Sequence, residues 1–502
     1  MKTTKIYGPP GTGKTTYLIE TLKKLLASGL HPTQVAYLSH TNAAAEEVKS
    51  RLHALNASWN VSKDFPWFRT IHSACCRLTG INASEICTTA TLKDFGQKYG
   101  YRFRNPDILS EGFETGGDEV AFAIRSNAAN WMTSLPDAAR RMGVPLSQRH
   151  THIIRDYAEW KKKRHLSDFT DMLVKAQYIN GPDVKVVMVD EAQDLSELQF
   201  KLIRQWSQGK DLYLAGDDDQ SIYGFIGASE YGFLEFQADT EIVLTKSHRC
   251  PPTIGRKADE IISRVPKRKQ KNVDWADHQG KILRGANFWG LNIVHEKDVM
   301  VLCRHRSQCK DVFDKLIDMK IPCSIYGQSF FQGNKAECIR GFLEMRQGAQ
   351  LPGPRVAQIF KEMGNKTLAK EVRDRTRKFR GRPYGRDDFD AVNWDDDWAE
   401  QFGRNNFEKH QLARLRRVVN ARGHEILGEK PAINIMTYHA SKGREADTVI
   451  LMTDCYQKTW DQQQRDETQE LRLCYVGITR AKKQAVIILP SEPDRYMKGL
   501  VR

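Results

Sequence analysis

The chain has 502 residues, room for roughly three or four domains with cores of their own, which excludes a single small module. Its 77 lysines and arginines outnumber 62 acidic residues, a net charge of +15 with a pI near 9.2; this favours a polyanionic partner such as nucleic acid, a merely basic soluble surface being the alternative. No apolar run approaches roughly 18 residues and no charged-then-apolar signal opens the chain, so a helical membrane span is set aside and a soluble intracellular protein is expected.

In chain order, a short β-type run at 5–7 leads into Gly8, Pro9, Pro10, Gly11, Thr12, Gly13, Lys14 and Thr15, which fit GxxxxGK(S/T), and a helical pattern follows through Lys24. This is the strand, loop and helix context a phosphate loop requires. The glycines let backbone N–H groups turn inward around phosphate oxygens, Lys14 reaches the β and γ phosphates, and Thr15 can ligate Mg²⁺, with Thr16 next in the cradle. A nucleoside triphosphate site is therefore expected. Apolar runs at 34–38, 184–189 and 212–215, with helix-period segments at 42–55 and 196–206, give the alternation of a parallel α/β sheet with its loops at the strand ends.

The run at 184–189 ends in Asp190 and Glu191. There an aspartate can hold a metal through water and a glutamate can polarise the attacking water, although a surface acidic turn reads the same in isolation. The next run ends in DDDQSIYGF, where Gln220 can sense a γ-phosphate. Tyr223 and Phe225 either stack on bases or fill a core. The three aspartates lack the alternate ligand spacing of a calcium loop.

A second set of runs, at 298–303, 321–326, 432–436, 448–452 and 485–489 with a helix over 308–319, predicts a second α/β core. Each core carries a helical, polar insert, the first including Trp131 and EWKKKRH, the second broken by GRPYGRDDFDAVNWDDDW, which reads as an exposed loop. The basic runs Lys161 to Arg164 and Lys267, Arg268, Lys269 and Lys271 either track a nucleic-acid backbone or form solvated faces. Ten cysteines without CxxC pairs read as reduced core residues; Cys75 and Cys76 beside His72 suit no common zinc site, so no structural zinc is expected.

Taken in order, GPPGTGKT, SHTNAAAEEV, TIHSAC, VDEAQD, GDDDQSIYGFIGA, KSHRCP, TYHASKGREADTVIL and YVGITRAKK resemble the motif series of the UvrD/Rep/PcrA group of superfamily 1 DNA helicases. The resemblance spans both cores, over half the chain. It implies an α/β fold of two RecA-like P-loop NTPase cores, parallel sheets flanked by helices, each with a mostly helical insert. The expected boundaries are 1–82 with 166–246 and 247–332 with 429–502 for the cores, and 83–165 and 333–428 for the inserts.

The resemblance also implies roles. Lys14, Thr15, Asp190, Glu191 and Gln220 keep those above, Arg249 and Arg480 match two arginines directed at the γ-phosphate from the second core, and Glu445 matches a glutamate near the ribose. The family's DNA contacts map onto His40, Thr41, Asn42, Thr70, His72, Tyr223, Phe225, Thr437, His439 and Lys442. Such hydroxyls, amides and imidazoles grip phosphates without reading sequence.

The expectation is an ATP- and Mg²⁺-dependent DNA helicase or translocase, a monomer moving 3′ to 5′ on single-stranded DNA and at DNA junctions. It would serve replication, repair or recombination in the cytoplasm of a bacterial cell or a phage-infected host, with its protein partners left open. A nucleoprotein remodeller that separates no strands and an RNA-directed motor are the alternatives. Departures from the family are His40 for a phenylalanine, Phe225 and Ile226 in place of a Trp-Arg pair, His248 for the tyrosine that stacks on adenine, Arg444 for a leucine, and a short second insert. The family's adenine-reading glutamine segment lies upstream of the phosphate loop, and the seven residues before Gly8 are expected to leave it no room. With His248, this predicts weak discrimination among nucleoside triphosphates.

Overall fold

The computed structural model describes residues 1–39, 42–55, 59–100, 148–224, 227–285, 287–290, 296–378, 381–395, 397–402, 409–492 and 494–501. Strands β1 (Thr3–Tyr7), β2 (Val35–Ser39), β3 (Phe68–Thr70), β4 (Val186–Val189), β5 (Asp211–Gly216) and β6 (Thr240–Val243) form one sheet in the order β3-β2-β4-β5-β1-β6. Every neighbouring pair is parallel. A second parallel sheet takes β7 (Lys281–Gly285), β8 (Val299–Cys303), β9 (Cys323–Ile325), β12 (Ile433–Thr437), β13 (Ala446–Met452) and β14 (Ala481–Ile488) in the order β7-β14-β13-β8-β12-β9. A short antiparallel ribbon, β10 (Leu351–Pro352) with β11 (Pro383–Tyr384), sits in the second insert.

Side chains alternate across each strand, and both faces of both sheets are covered, which is why the central strands read as unbroken apolar runs. In the first sheet Ala36, Leu38, Val187 and Val189 pack into one apolar cluster, while their neighbours Val35, Tyr37, Val186 and Met188 pack into another. In the second, Val299, Val301 and Ile435 face one cluster and Met300, Leu302 and Met436 the opposite one. Ile222, from the segment after β5, is buried in that second cluster, so the first lobe docks a side chain into the core of the other.

The inserts differ in how they are anchored. Helices Thr89–Tyr99 and Gln148–Lys163 enclose a small core of Leu92, Phe95, Ile153, Tyr157 and Trp160; Trp131 lies outside the described residues. Lys161 is buried here, donating to Asp168 at 2.6 Å and Asp171 at 2.5 Å, so it is neither a solvated residue nor a backbone tracker. Helices Asn334–Arg346, Gly353–Glu362, Lys366–Lys378 and Lys409–Arg422 share one apolar core with the second sheet. The segment expected as an exposed loop buries Tyr384, Phe389, Val392 and Trp398 in that core. Its turn formers and acids lie between these anchors and hid them.

Candidate nucleotide site and nucleic-acid interface

β1 delivers the chain to the phosphate loop at the carboxyl edge of the first sheet, where the Gly8 N–H donates to Gly216 O at 3.0 Å. Gly11 and Gly13 have φ of 77° and 78°, values a side chain rarely adopts, and Gly13 starts the helix Lys14–Ala27. A Cβ on Gly11 would lie 2.5 Å from Arg249 Cβ. That closeness arises because 247–249 lies over the loop: Ser247 Oγ donates to Pro10 O at 2.7 Å and the His248 N–H to Gly11 O at 2.9 Å. The His248 side chain is exposed. Thr12 Oγ1 donates to Pro9 O at 2.8 Å and Lys14 Nζ to Gly8 O at 2.9 Å, while Thr16 Oγ1 accepts from Arg51 at 3.0 Å.

Across the loop, Asp190 Oδ2 accepts from Thr15 Oγ1 at 2.7 Å and from the buried Tyr37 hydroxyl at 2.7 Å. A hydroxyl that donates to a carboxylate keeps its lone pairs outward, so Thr15 and Asp190 offer the hard oxygen set that suits Mg²⁺. Glu191 adopts φ 53°, and its N–H donates to Asp190 Oδ1 at 2.9 Å. Burial opposes ionisation of Glu191, but Lys14, Lys442 and the Gln193 amide outweigh it and hold the carboxyl below its usual range. It is therefore a carboxylate, ready to accept a proton from water.

From Glu191 a chain of hydrogen bonds runs to the second lobe. Gln193 Nε2 donates to Glu191 Oε2 at 2.5 Å and Gln193 Oε1 accepts from the Asp217 N–H at 2.9 Å. Asp217 Oδ2 then accepts from Gln220 Nε2 at 2.7 Å, and Gln220 Oε1 from Arg480 Nη2 at 3.1 Å. Arg480 is fully buried; burial and the neighbouring Arg249 bring its pKa down to about 10, so it stays a cation at neutral pH. Arg249 Nε donates to Glu445 Oε2 at 2.6 Å, bringing those two predicted residues together.

The acidic triplet and the basic run Lys267 to Lys271 explain one another. Lys271 Nζ lies 2.8, 2.5 and 2.8 Å from Asp217, Asp218 and Asp219, and Arg268 clasps Asp219 at 2.7 and 2.6 Å. Lys267 pairs with Glu235 and Lys269 with Glu241. Among the described residues Asp217–Asp219 is the one acidic group close enough to share a metal ion, and two cations already fill it. The run thus clasps the first lobe through Arg268 and Lys271, while Lys267 and Lys269 lie in surface ion pairs.

Of the residues expected to touch DNA, Thr70 ends β3 and His72 lies just beyond it, Tyr223 follows β5, and Thr437 ends β12 with His439 just beyond it, all at carboxyl edges of the sheets, where ligands of open α/β sheets bind. Thr70 caps the helix Ile71–Thr79 by accepting from the Ser73 N–H at 3.2 Å, and Thr437 accepts from the Ala440 N–H at 3.3 Å. Both hydroxyls keep a proton to donate. His72 meets Phe169 edge-on, with ring centroids 5.1 Å apart. Burial, reinforced by Arg304, drives the His439 pKa well below its usual value, so any grip it has on phosphate is a hydrogen bond and not a charge. Tyr223 donates its hydroxyl to His439 O at 3.3 Å across the lobes. Asn42 opens the helix Asn42–Leu55; His40, Thr41 and Phe225 lie outside the described residues.

Lys442 takes a different place from the one expected. Its ammonium donates to the Asp194 carboxylate, 2.6 and 2.7 Å from its two oxygens, and to Gln220 O at 2.7 Å, so it bridges the lobes beside the nucleotide site. Tyr37, Gln193 and Asp194 join the site without having been expected there, and Asp217 and Lys271, expected as part of an acidic stretch and of a basic run, meet in it. Gln193 and Asp194 lie inside the acidic motif and could have been found there, whereas nothing local marks Tyr37 or pairs Lys271 with Asp217.

Two RecA-like α/β lobes with a phosphate loop on one and arginines from the other meeting it define a two-lobed P-loop NTPase of the helicase class. The chain belongs to the UvrD/Rep helicase family. Residues 1–241 match the UvrD/REP helicase N-terminal domain and residues 359–492 the UvrD-like helicase C-terminal domain. It is similar to the ATP-dependent DNA helicase PcrA of Staphylococcus aureus, 25% identical over 373 residues covering 67% of this chain and 50% of the relative. The Bacillus subtilis PcrA is 26% identical over 367 residues, 65% and 48% of the two chains. The chain thus spans about half the length of the curated relatives it matches. No helix among the described residues is long and apolar enough to cross a membrane.

Proposed function

We propose that the protein is an ATP-dependent DNA helicase or translocase that moves 3′ to 5′ on single-stranded DNA, acts at DNA junctions, and serves replication, repair or recombination as a monomer. The observation that carries this reading is the continuous chain Glu191–Gln193–Asp217–Gln220–Arg480, which joins the catalytic carboxylate on one lobe to an arginine on the other. The cores are taken as 1–82 with 166–246 and 247–332 with 429–502, and the inserts as 83–165 and 333–428.

The loop amides and Lys14 hold the triphosphate, with Thr15 and Asp190 as the residues that would hold Mg²⁺, an ion that would supply positive charge against the developing phosphoryl charge. Glu191 takes a proton from the attacking water, Gln220 faces the γ-phosphate, and Arg249 and Arg480 stabilise the transferred charge, an effect worth about 10³–10⁵ in rate where such arginines act. Since Arg480 reaches the site from the second lobe, lobe closure and hydrolysis are linked, and opening after hydrolysis lets the grip on DNA alternate. Thr41, Asn42, Thr70, His72, Thr437 and His439 hold the strand's phosphates, and Tyr223 and Phe225 its bases.

ATP-dependent displacement on 3′-tailed and 5′-tailed duplexes tests enzyme, substrate and direction together. Separation of the 3′-tailed duplex alone is expected; release from neither, with ATPase activity still stimulated by single strands, turns the reading into a remodeller. That second reading is favoured by the 333–428 insert, whose helices share the core of the second sheet. Stimulation by RNA equal to that by DNA of the same sequence would remove the DNA assignment.

A further inference from the structure

We propose that Lys271 is a positioning residue for the γ-phosphate sensor: it fixes which end of the Gln220 amide faces the nucleotide. The proposal rests on the reading of Gln220 as that sensor. A glutamine amide has a donor end and an acceptor end, and only Nε2 can donate to a phosphate oxygen. In this site one Nε2 hydrogen goes to Asp217 Oδ2 and Oε1 accepts from Arg480, leaving the second Nε2 hydrogen for a ligand. The arrangement holds only while Asp217 is a pure acceptor.

Asp217 is completely buried and is followed by two more buried carboxylates. Three such groups side by side cannot all ionise without cations, since like charges at this range favour protonation. A protonated Asp217 would offer a donor, and the Gln220 amide would turn its oxygen towards it, presenting the wrong end to Arg480. Lys271 Nζ touches all three carboxylates, and its side chain is 1% exposed, so no water replaces it. Arg268 lies on the far side, on Asp219, and reaches neither Asp217 nor Gln220 by a hydrogen bond. Lys271 therefore sets the Asp217 charge state and, through it, the sensor. It comes from the segment between the helix Pro252–Ser263 and β7, the same segment that clasps the first lobe.

The test compares binding of ADP and of the slowly hydrolysed analogue ATPγS to the full chain and to Gln220→Ala, Lys271→Met, the double variant and Lys271→Arg. Gln220→Ala and Lys271→Met are each expected to lower the ATPγS-to-ADP affinity ratio by about tenfold, the scale of one charge-assisted hydrogen bond. ADP affinity should not move, the double variant should lose no more than either single one, and Lys271→Arg should restore part of the ratio. An unchanged ratio in Lys271→Met, an equal loss of ADP and ATPγS affinity, or losses that multiply in the double variant would each overturn the proposal. Asp218→Asn with Lys271→Met keeps the cluster's charge balance and covers the case in which the single variant fails to fold; it should show a smaller loss of the same ratio, because one competing carboxylate is gone while Asp217 stays buried without its cation, and an unchanged ratio there would also overturn the proposal. Failure of both to fold assigns Lys271 to stability alone and also overturns the proposal. The readout uses neither DNA nor turnover, so a wild-type protein without DNA-stimulated hydrolysis would defeat the motor reading and leave this result intact.

Discussion

Glu191 stands at φ 53°, a left-handed conformation that few residues other than glycine adopt. Strain of this kind, of order 1–3 kcal/mol, persists where neighbours over-determine it. Here the N–H is tied to Asp190 and the carboxylate to Gln193. Glu191→Gln keeps the shape and removes the base, so ATP and DNA affinities should stay within about threefold while kcat drops by roughly 10²–10⁴-fold; stopped turnover with intact binding is the measurement. Asp194 makes a second residue-level prediction. Burial pushes its pKa up to about 6 although Lys442 opposes the shift. A folded-state pKa above the unfolded one means the native state holds the extra proton between about 4 and 6, so this group's contribution to stability falls as pH rises through that window. The Asp194–Lys442 bridge gains its charge in the same window. The melting temperature of Asp194→Asn relative to wild type should therefore rise from pH 4 to 6 and level off above. The DNA-stimulated ATPase of wild type should fall below pH 6 with an inflection absent from the variant. Of these residues Glu191 was legible as the end of an apolar run; the charge on its neighbours was not, because pairing with Lys442 spans 248 positions.

The strands that read clearly are those covered on both faces, such as β2 and β8, in which every residue is buried. Within the two six-stranded sheets those that did not read are β3, β6 and β7, and each lies at a sheet edge. β7 has no buried residue and β6 only partly buried or exposed ones, so their sequences carry polar groups that broke the apolar signal. The basic run Lys267 to Lys271 shows the converse failure: its charge was visible, but its acidic partners belong to segments 28 to 54 positions earlier, and composition cannot pair them. Because the Lys267 and Lys269 ammonium groups are bound to Glu235 and Glu241, neutralising both should release no additional counterions from DNA. Lys267→Ala with Lys269→Ala is expected to leave the slope of log affinity for single-stranded DNA against log salt unchanged, whereas two true phosphate contacts would lower it by about 1.4.

At the level of the whole molecule the question is what makes two lobes one enzyme. Besides the Lys267 to Lys271 clasp, the 247–249 contacts on the phosphate loop and the Tyr223 bond to His439, the lobes are joined by Arg480 to Gln220, Lys442 to Asp194, and Arg472 to Glu230 at 2.8 Å, alongside Ile222 in the second core. Of these last three bridges the first two belong to the site itself. The third lies on the helix Thr468–Ile478, which ends just before Arg480, about two turns beyond Arg472. Arg472 is buried and its Nε has no hydrogen-bond partner, so Glu230 supplies its compensating charge from the other lobe. Glu230→Gln leaves the guanidinium under-compensated, a cost of about 1–3 kcal/mol, read as a lower melting temperature. If this anchor also sets where the helix delivers Arg480, the same substitution should reduce the DNA-stimulated ATPase while ADP binding to the phosphate loop, a first-lobe property, stays as in wild type. A parallel loss of ADP affinity would mean the first lobe had itself been damaged. An unchanged ATPase despite the lower melting temperature would mean that Arg480 is placed by its own bonds to Val476, Arg444, Thr479 and Gln220, without help from the Arg472 anchor.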